Sequence, residues 1–211
     1  MSKPLNFFEG SIERATNLLA LANQQDDAAL KADLVRSAAV IAVAAYDHYF
    51  TSKFCDVLAT YLSKNEPNRE LVDLLDRAGL KTKTALEIAV MKRPFRRIRS
   101  LVTKSLSGKT TNQTKAIDNL FAALELKGLS GRIHKACNRK NLGKRIDKLV
   151  EMRNDVVHAA HINSHGKPRV IELGDVRQRV GEIELFVKTA EKEIGEWVAG
   201  KKIGGLASST D

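Results

Sequence analysis

From Ala28 to Leu62 the chain reads AALKADLVRSAAVIAVAAYDHYFTSKFCDVLATYL, 35 residues without a proline or a glycine. Val35, Ala38, Ala39, Ala42, Tyr46, Tyr49, Phe50, Phe54, Val57, Leu58 and Tyr61 recur at helical steps and cover much of the circumference. A helix apolar over most of its surface is stable only when other elements surround it. The segment therefore predicts a long helix at the centre of the fold. The stretch SKNEPN ends it, because the residue before Pro67 is pushed out of helical geometry.

Other helices are predicted around this one. Leu5 to Gln25 places Phe7, Phe8, Ile12, Ala15, Leu18, Leu19 and Ala22 at steps of three and four, with NQQDDAAL as a short corner. Residues 66–141 read as several short helices joined by polar turns. In one of them Pro94 suits a first helical turn, and Phe95, Ile98 and Leu101/Val102 form a narrow apolar strip. SLSGKTTNQTK is a loop whose GKT lacks the upstream glycine and the preceding strand of a phosphate loop. A further helix is predicted from about Leu142 to Ile162, broken by NSHGKP. The last opens at GDVRQ, with Asp175 as its N-cap and Gln178 three residues on. Its seam is Val176, Val180, Ile183, Val187, Ala190, Ile194 and Trp197. The expectation is an all-α antiparallel helical bundle with inserted short basic helices. It forms one domain over 1–199, with a disordered tail from 200 to 211.

Composition agrees with this class. The 211 residues are 43% hydrophobic and only 5% aromatic, enough apolar material for one large core without staples. Cys55 and Cys137 stand alone, outside any CxxC pattern, and read as free thiols in a reducing compartment. No apolar run suits a signal peptide or a membrane span, so a soluble cytoplasmic protein without membrane contact is expected.

The net charge of +10 is unevenly spread. Between Lys92 and Ile146 fifteen Lys/Arg face two acids, Asp118 and Glu125, giving +13; the remaining twenty Lys/Arg and twenty-three acids give −3. A basic segment on an otherwise near-neutral chain is the footprint of a polyphosphate partner, and Lys92, Arg93, Arg96, Arg97 and Arg99 are its densest cluster. The competing reading is a solvated, solubilising face.

One helix carries an anomaly. In LVEMRNDVVHAAHI, at ~100° per residue, Ile146, Leu149, Val150, Val156, Val157 and Ala160 share one side, and Arg153 projects from its centre. An unpaired buried charge costs several kcal/mol, so a partner, an interface or a ligand must meet it. His158 lies about 140° round from Arg153, so both reach one substrate only at a groove edge or across an interface. Asn154 and His161 share the polar flank beside the stripe with His158. Asp47, on the long second helix, is an acid in an apolar setting, and pairing with Arg153 would explain both. A buried ion pair that only fixes helix register is the competing account. His48 and His134 read as structural histidines, His165 as a turn residue. Asp155, His158 and His161 spread over ~120° of helix without a cysteine to complete a set, so no metal is expected.

RNDVVH, late in an all-helical chain and after a helix such as AAVIAVAAYDHYFTSKF, resembles the R-x4-6-H motif of the HEPN superfamily, most closely its RiboL-PSP-HEPN branch. The resemblance covers the first two and last two helices and leaves 66–141 as a basic elaboration. It implies an endoribonuclease needing neither metal nor cofactor, a homodimer through the Arg153 helix, and an RNA substrate. Arg153, Asn154 and His158 are then catalytic, with Asp47 and His161 in support. A toxin or antiphage-defence role, with an antitoxin or regulatory protein as a further partner, is part of the same implication. The chemistry suits the side chains. A histidine of ordinary pKa, about 6.5, moves protons at neutral pH, and a guanidinium binds phosphate oxygens in pairs. The rival is a non-catalytic RNA-binding, nucleotide-binding or protein-interaction module.

Overall fold

The computed structural model describes residues 2–107, 113–139, 141–159, 166 and 169–207, the side chains of 159 and 201–207 excepted. Among the described residues all regular structure is helical: α1 (Lys3–Asn23), α2 (Ala28–Leu62), α3 (Arg69–Arg77), α4 (Thr82–Ala89), α5 (Pro94–Leu106), α6 (Thr114–Ala122), α7 (Leu129–Cys137), α8 (Leu142–Ala159) and α9 (Leu173–Ala207). None of the described helices is long and apolar enough to cross a membrane.

Local chemistry sets the boundaries. Ser2 Oγ accepts from the Leu5 N–H at the start of α1, with Pro4 in the first turn, where no N–H is needed. Asp27 Oδ1 accepts from the N–H groups of Ala29 at 2.8 Å and Leu30 at 3.2 Å, fixing the start of α2 where the sequence places it. Asn68 caps α3 through the Leu71 N–H at 2.9 Å and donates to the Ala123 carbonyl at 3.2 Å. Pro94 opens α5 as expected.

The last helix differs from its prediction at both ends. It begins at Leu173, so Asp175 lies inside the first turn instead of at the N-cap, and its carboxylate stands 3.8 Å from Arg179. Gln178 Nε2 donates to Glu182 Oε1 at 3.2 Å and does not close a capping box. An acid within the first turn favours the helix dipole from inside, which in sequence looks the same as a cap. At the other end α9 continues to Ala207, past 199, because no proline interrupts it.

The chain folds as two compact units: residues 1–49 with 133–190, and residues 50–132 with 191–211. In the first, Phe8, Ile12, Ala15 and Leu19 of α1 are buried with Val35, Ala38, Ala42 and Tyr46 of α2. Ile146, Leu149 and Val150 of α8 and Val176, Val180, Ile183, Phe186 and Val187 of α9 complete that core. Phe8 meets Tyr49 edge-on at 5.9 Å across the tight 24–27 corner, so α1 and α2 run antiparallel, and Tyr46 meets Phe186 at 5.9 Å. Phe7, expected in the α1 stripe, is 56% exposed and lies over His48 at 4.5 Å. It flanks Phe8 by 100° and so turns out of the core.

In the second unit Phe50 and Phe54 of α2 meet Phe121 of α6 edge-on at 6.2 and 5.8 Å. Tyr61 stacks on Trp197 at 6.3 Å and 12°. The basic helix α5 packs against α3 and α4. Its strip is buried only at its far end, at Val102 and Leu106, while Phe95 is 36% exposed. Lys53, only 8% exposed, is ion-paired to Glu191 at 2.8 Å.

Candidate functional site

Helix α8 changes character along its length. Leu142, Ile146, Leu149 and Val150 are buried, the first three completely. From Met152 to Val156 every residue is only half-buried, and Val157 and His158 are exposed. The apolar stripe thus continues out of the core onto the surface, and Arg153 sits at the change.

The Arg153 guanidinium is incompletely satisfied. Its Nη1 donates to Asn154 Oδ1 at 3.1 Å. Nε is shut off from solvent and meets no acceptor among the described residues. Asp47 is half-buried on α2 in the same unit. A solvent-excluded N–H without an acceptor costs ~1–3 kcal/mol, and the Nε atoms of Arg36 and Arg145 are in the same state among the described residues. His158 is exposed in the last turn of α8, the end of the helix dipole that favours a cation. His161 lies outside the described residues.

A groove of about 450 Å³ runs beside the open end of α8, lined by Val156 and by Asp33, Arg36, Ser37, Val40 and Ile41 of α2. The sequence reading missed its cation. Arg36 Nη1 is paired with Asp33 at 2.8 Å and Nη2 donates to the Arg169 carbonyl at 3.2 Å, with only 13% of the side chain exposed. The signal was present, since Arg36 interrupts an apolar run between Val35 and Ala38. Arg169 in turn holds Asp155 at 2.6 Å, so that carboxylate is engaged by a cation. No cluster of three His, Cys, Asp or Glu able to hold a metal occurs among the described residues.

The basic candidates lie in the other unit. Lys92, Arg93, Arg96 and Arg97 are exposed around the start of α5. Arg99 differs from them: its guanidinium is ion-paired with Asp56 on α2. Close by, burial pushes the Cys55 thiol above its ordinary pKa, against the lowering effect of a Thr103 hydrogen bond and of Arg99. That thiol stays protonated and inert.

Comparison with family models gives a match over residues 9–196 to the family described as RiboL-PSP-HEPN. No curated protein and no solved structure matches significantly. The matched span takes in α2, the basic middle and α8 with Arg153 and His158.

Proposed function

This chain belongs to the RiboL-PSP-HEPN family, and from that premise we propose that it is a metal-independent endoribonuclease. The family supports a nuclease or RNA-related role. The observation that carries the finer reading is the change of α8 from core helix to open surface at Arg153, a guanidinium whose dry Nε meets no acceptor among the described residues.

RNA brings its own nucleophile. The 2′-oxygen attacks the adjacent phosphorus while the bond to the 5′-oxygen breaks, leaving a 2′,3′-cyclic phosphate and a 5′-hydroxyl. One proton must leave the 2′-hydroxyl and one must reach the departing 5′-oxygen. His158, exposed to solvent and substrate, is the acid–base group. Arg153 donates to the phosphate oxygens as negative charge builds on them, and its unsatisfied Nε has a donor to spare for that. Asn154, already bonded to Arg153, orients the guanidinium. Asp47 and His161 support the site.

Arg153 and His158 point about 140° apart on one helix. A homodimer in which two α8 helices meet brings the arginine of one protomer towards the histidine of the other. The exposed Val157 and the groove beside Val156 are the apolar surface that such a contact covers. Lys92, Arg93, Arg96 and Arg97 hold the RNA backbone, and Arg99 joins them only by leaving Asp56. A self-contained nuclease of this kind suits a toxin or antiphage-defence effector restrained by an antitoxin or regulatory protein.

The test is incubation of wild type and His158→Ala with a labelled mixed RNA pool in EDTA, followed by end-group analysis. Cleavage by wild type leaving cyclic-phosphate ends, reduced about 10²- to 10⁴-fold in the variant, is the expected result. Salt-sensitive binding by both proteins without cleavage would replace the enzyme reading with a non-catalytic RNA-binding module.

A further inference from the structure

At the turn between α7 and α8 lies a second cavity, of about 440 Å³, lined by His134, Lys135, Asn138, Arg139 and Asn141. It belongs to the same unit as Arg153 and His158. The residues that line it are polar or basic, their aliphatic stems contributing part of the wall, and none of them is a carboxylate. Lys135 and Arg139 are exposed, and among the described residues neither meets an acid. Arg36, Arg145 and Arg169 of the same unit each hold a carboxylate, whereas Lys135 and Arg139, like Lys3 and Arg14 on α1, meet none among the described residues. Asn138 and Asn141, both at positive φ of 46° and 61°, close the turn and keep their amide side chains at the cavity. His134 is fixed there as well. Its Nε2 accepts the Gly143 N–H at 3.0 Å, and the ring lies against Phe186 at 6.1 Å.

Two cations and two amides that have no side-chain partner among the described residues, around an open cavity, are the donor set for a phosphate group, with charge from the cations and directed N–H groups from the amides. The placement narrows the source of that phosphate. Helix α8 leads from the cavity at Leu142 to Arg153 eleven residues on, about 16 Å at 1.5 Å per residue. A single RNA strand spans that distance in a few nucleotides, within the footprint of ordinary single-strand sites.

We infer that this cavity is a remote subsite for a backbone phosphate of the same RNA strand that meets Arg153 and His158. The inference rests on the proposed ribonuclease reading and extends it to the substrate: a chain several nucleotides long, gripped at α7–α8 and cut at the far end of α8. Binding here rests on donors to phosphate, which carry no sequence information; the His134 ring is held by Gly143 and Phe186.

The experiment compares wild type, Lys135→Ala/Arg139→Ala, the charge-keeping Lys135→Arg/Arg139→Lys, and a control, Lys3→Ala/Arg14→Ala, that removes two exposed cations from α1. Each protein is titrated with a fluorescent 12-nucleotide single-stranded RNA at several salt concentrations. Each is also assayed on that RNA and on a dinucleotide. Loss of one neutralised phosphate is expected to lower the slope of log K against log salt by about 0.7. The KM for the 12-mer should rise severalfold with kcat unchanged, dinucleotide cleavage should be unaffected, and the charge-keeping pair should behave as wild type. A slope that stays the same, or falls equally in the α1 control, overturns the subsite. If wild type cleaves no RNA at all, the enzyme reading fails on its own, and the salt slope still decides the cavity.

Discussion

Replacing Arg153 by leucine separates the two accounts of that residue, because they predict opposite signs of stability. The solvent-excluded Nε has no acceptor among the described residues, which costs the folded chain ~1–3 kcal/mol. Leucine removes that donor and extends the apolar row of Ile146, Leu149 and Val150 towards Val156. Against this, Asn154 Oδ1 loses the Nη1 bond, at a half-exposed position where a hydrogen bond contributes ~0.5 kcal/mol. The balance is a gain of about 1–2 kcal/mol. For a chain of 211 residues each kcal/mol moves Tm by ~2–4 °C, so Arg153→Leu should melt about 2–8 °C higher. RNA cleavage should fall at least ~10²-fold, the usual loss when a donor to the transition state is removed. The assay is thermal melting followed by circular dichroism at two protein concentrations tenfold apart, which separates an effect on the fold from one on association. A Tm lowered by several degrees at both concentrations would refute the reasoning. Arg153 would then be a structural cation whose partner the fold requires. Retained cleavage would remove it from the chemistry.

Three further outcomes test the packing on which the sites rest. Glu191→Ala leaves Lys53, 8% exposed, as an unpaired buried cation and should destabilise the chain by about 2–4 kcal/mol in urea titration; a loss below 0.5 kcal/mol would show that water reaches Lys53 freely. Phe121→Ala removes a fully buried ring that meets both Phe50 and Phe54, and should cost about 3–5 kcal/mol by the same measurement. Burial, reinforced by the Glu125 carboxylate, pushes the Tyr61 phenol above its ordinary pKa. The folded chain therefore keeps that proton after the unfolded chain has lost it near pH 10. The resulting stability is intact below about pH 10 and is lost as pH rises through the folded value. Melting of Tyr61→Phe from pH 9 to 11.5 should show a shallower alkaline decline than wild type, and identical slopes would contradict the assignment.

Burial faces were legible because they are one-dimensional facts. The steps Val176, Val180, Ile183, Val187, Ala190 and Ile194 are all buried in α9, and α2 begins and ends where its sequence places it. What escaped was decided across elements. Phe186 is fully buried although it stands outside that seam, because Tyr46 and His134 come to meet it from other helices. Arg99 reads as one more cation in a basic run until Asp56 is brought against it. Asp175 and Gln178 have the spacing of a capping box, yet the helix starts earlier, where the Val176 N–H already donates to the Glu172 carbonyl at 3.2 Å.

The same distinction governs the site. Sequence periodicity places Arg153 on an apolar stripe but cannot tell a stripe that is buried throughout from one that surfaces halfway. The fold supplies that: Val150 is 1% exposed and Val157 51%, seven residues apart on the same side of one helix. An arginine in the buried half would be an ion pair fixing register. An arginine in the exposed half would be an ordinary solvated cation. Arg153 is neither, with Nε dry and Nη1 held by Asn154 at the line where packing ends. A phosphate arriving there can take up the donor without desolvating it again. Under the proposed function, that preorganisation is how Arg153 would stabilise the charge of the transition state.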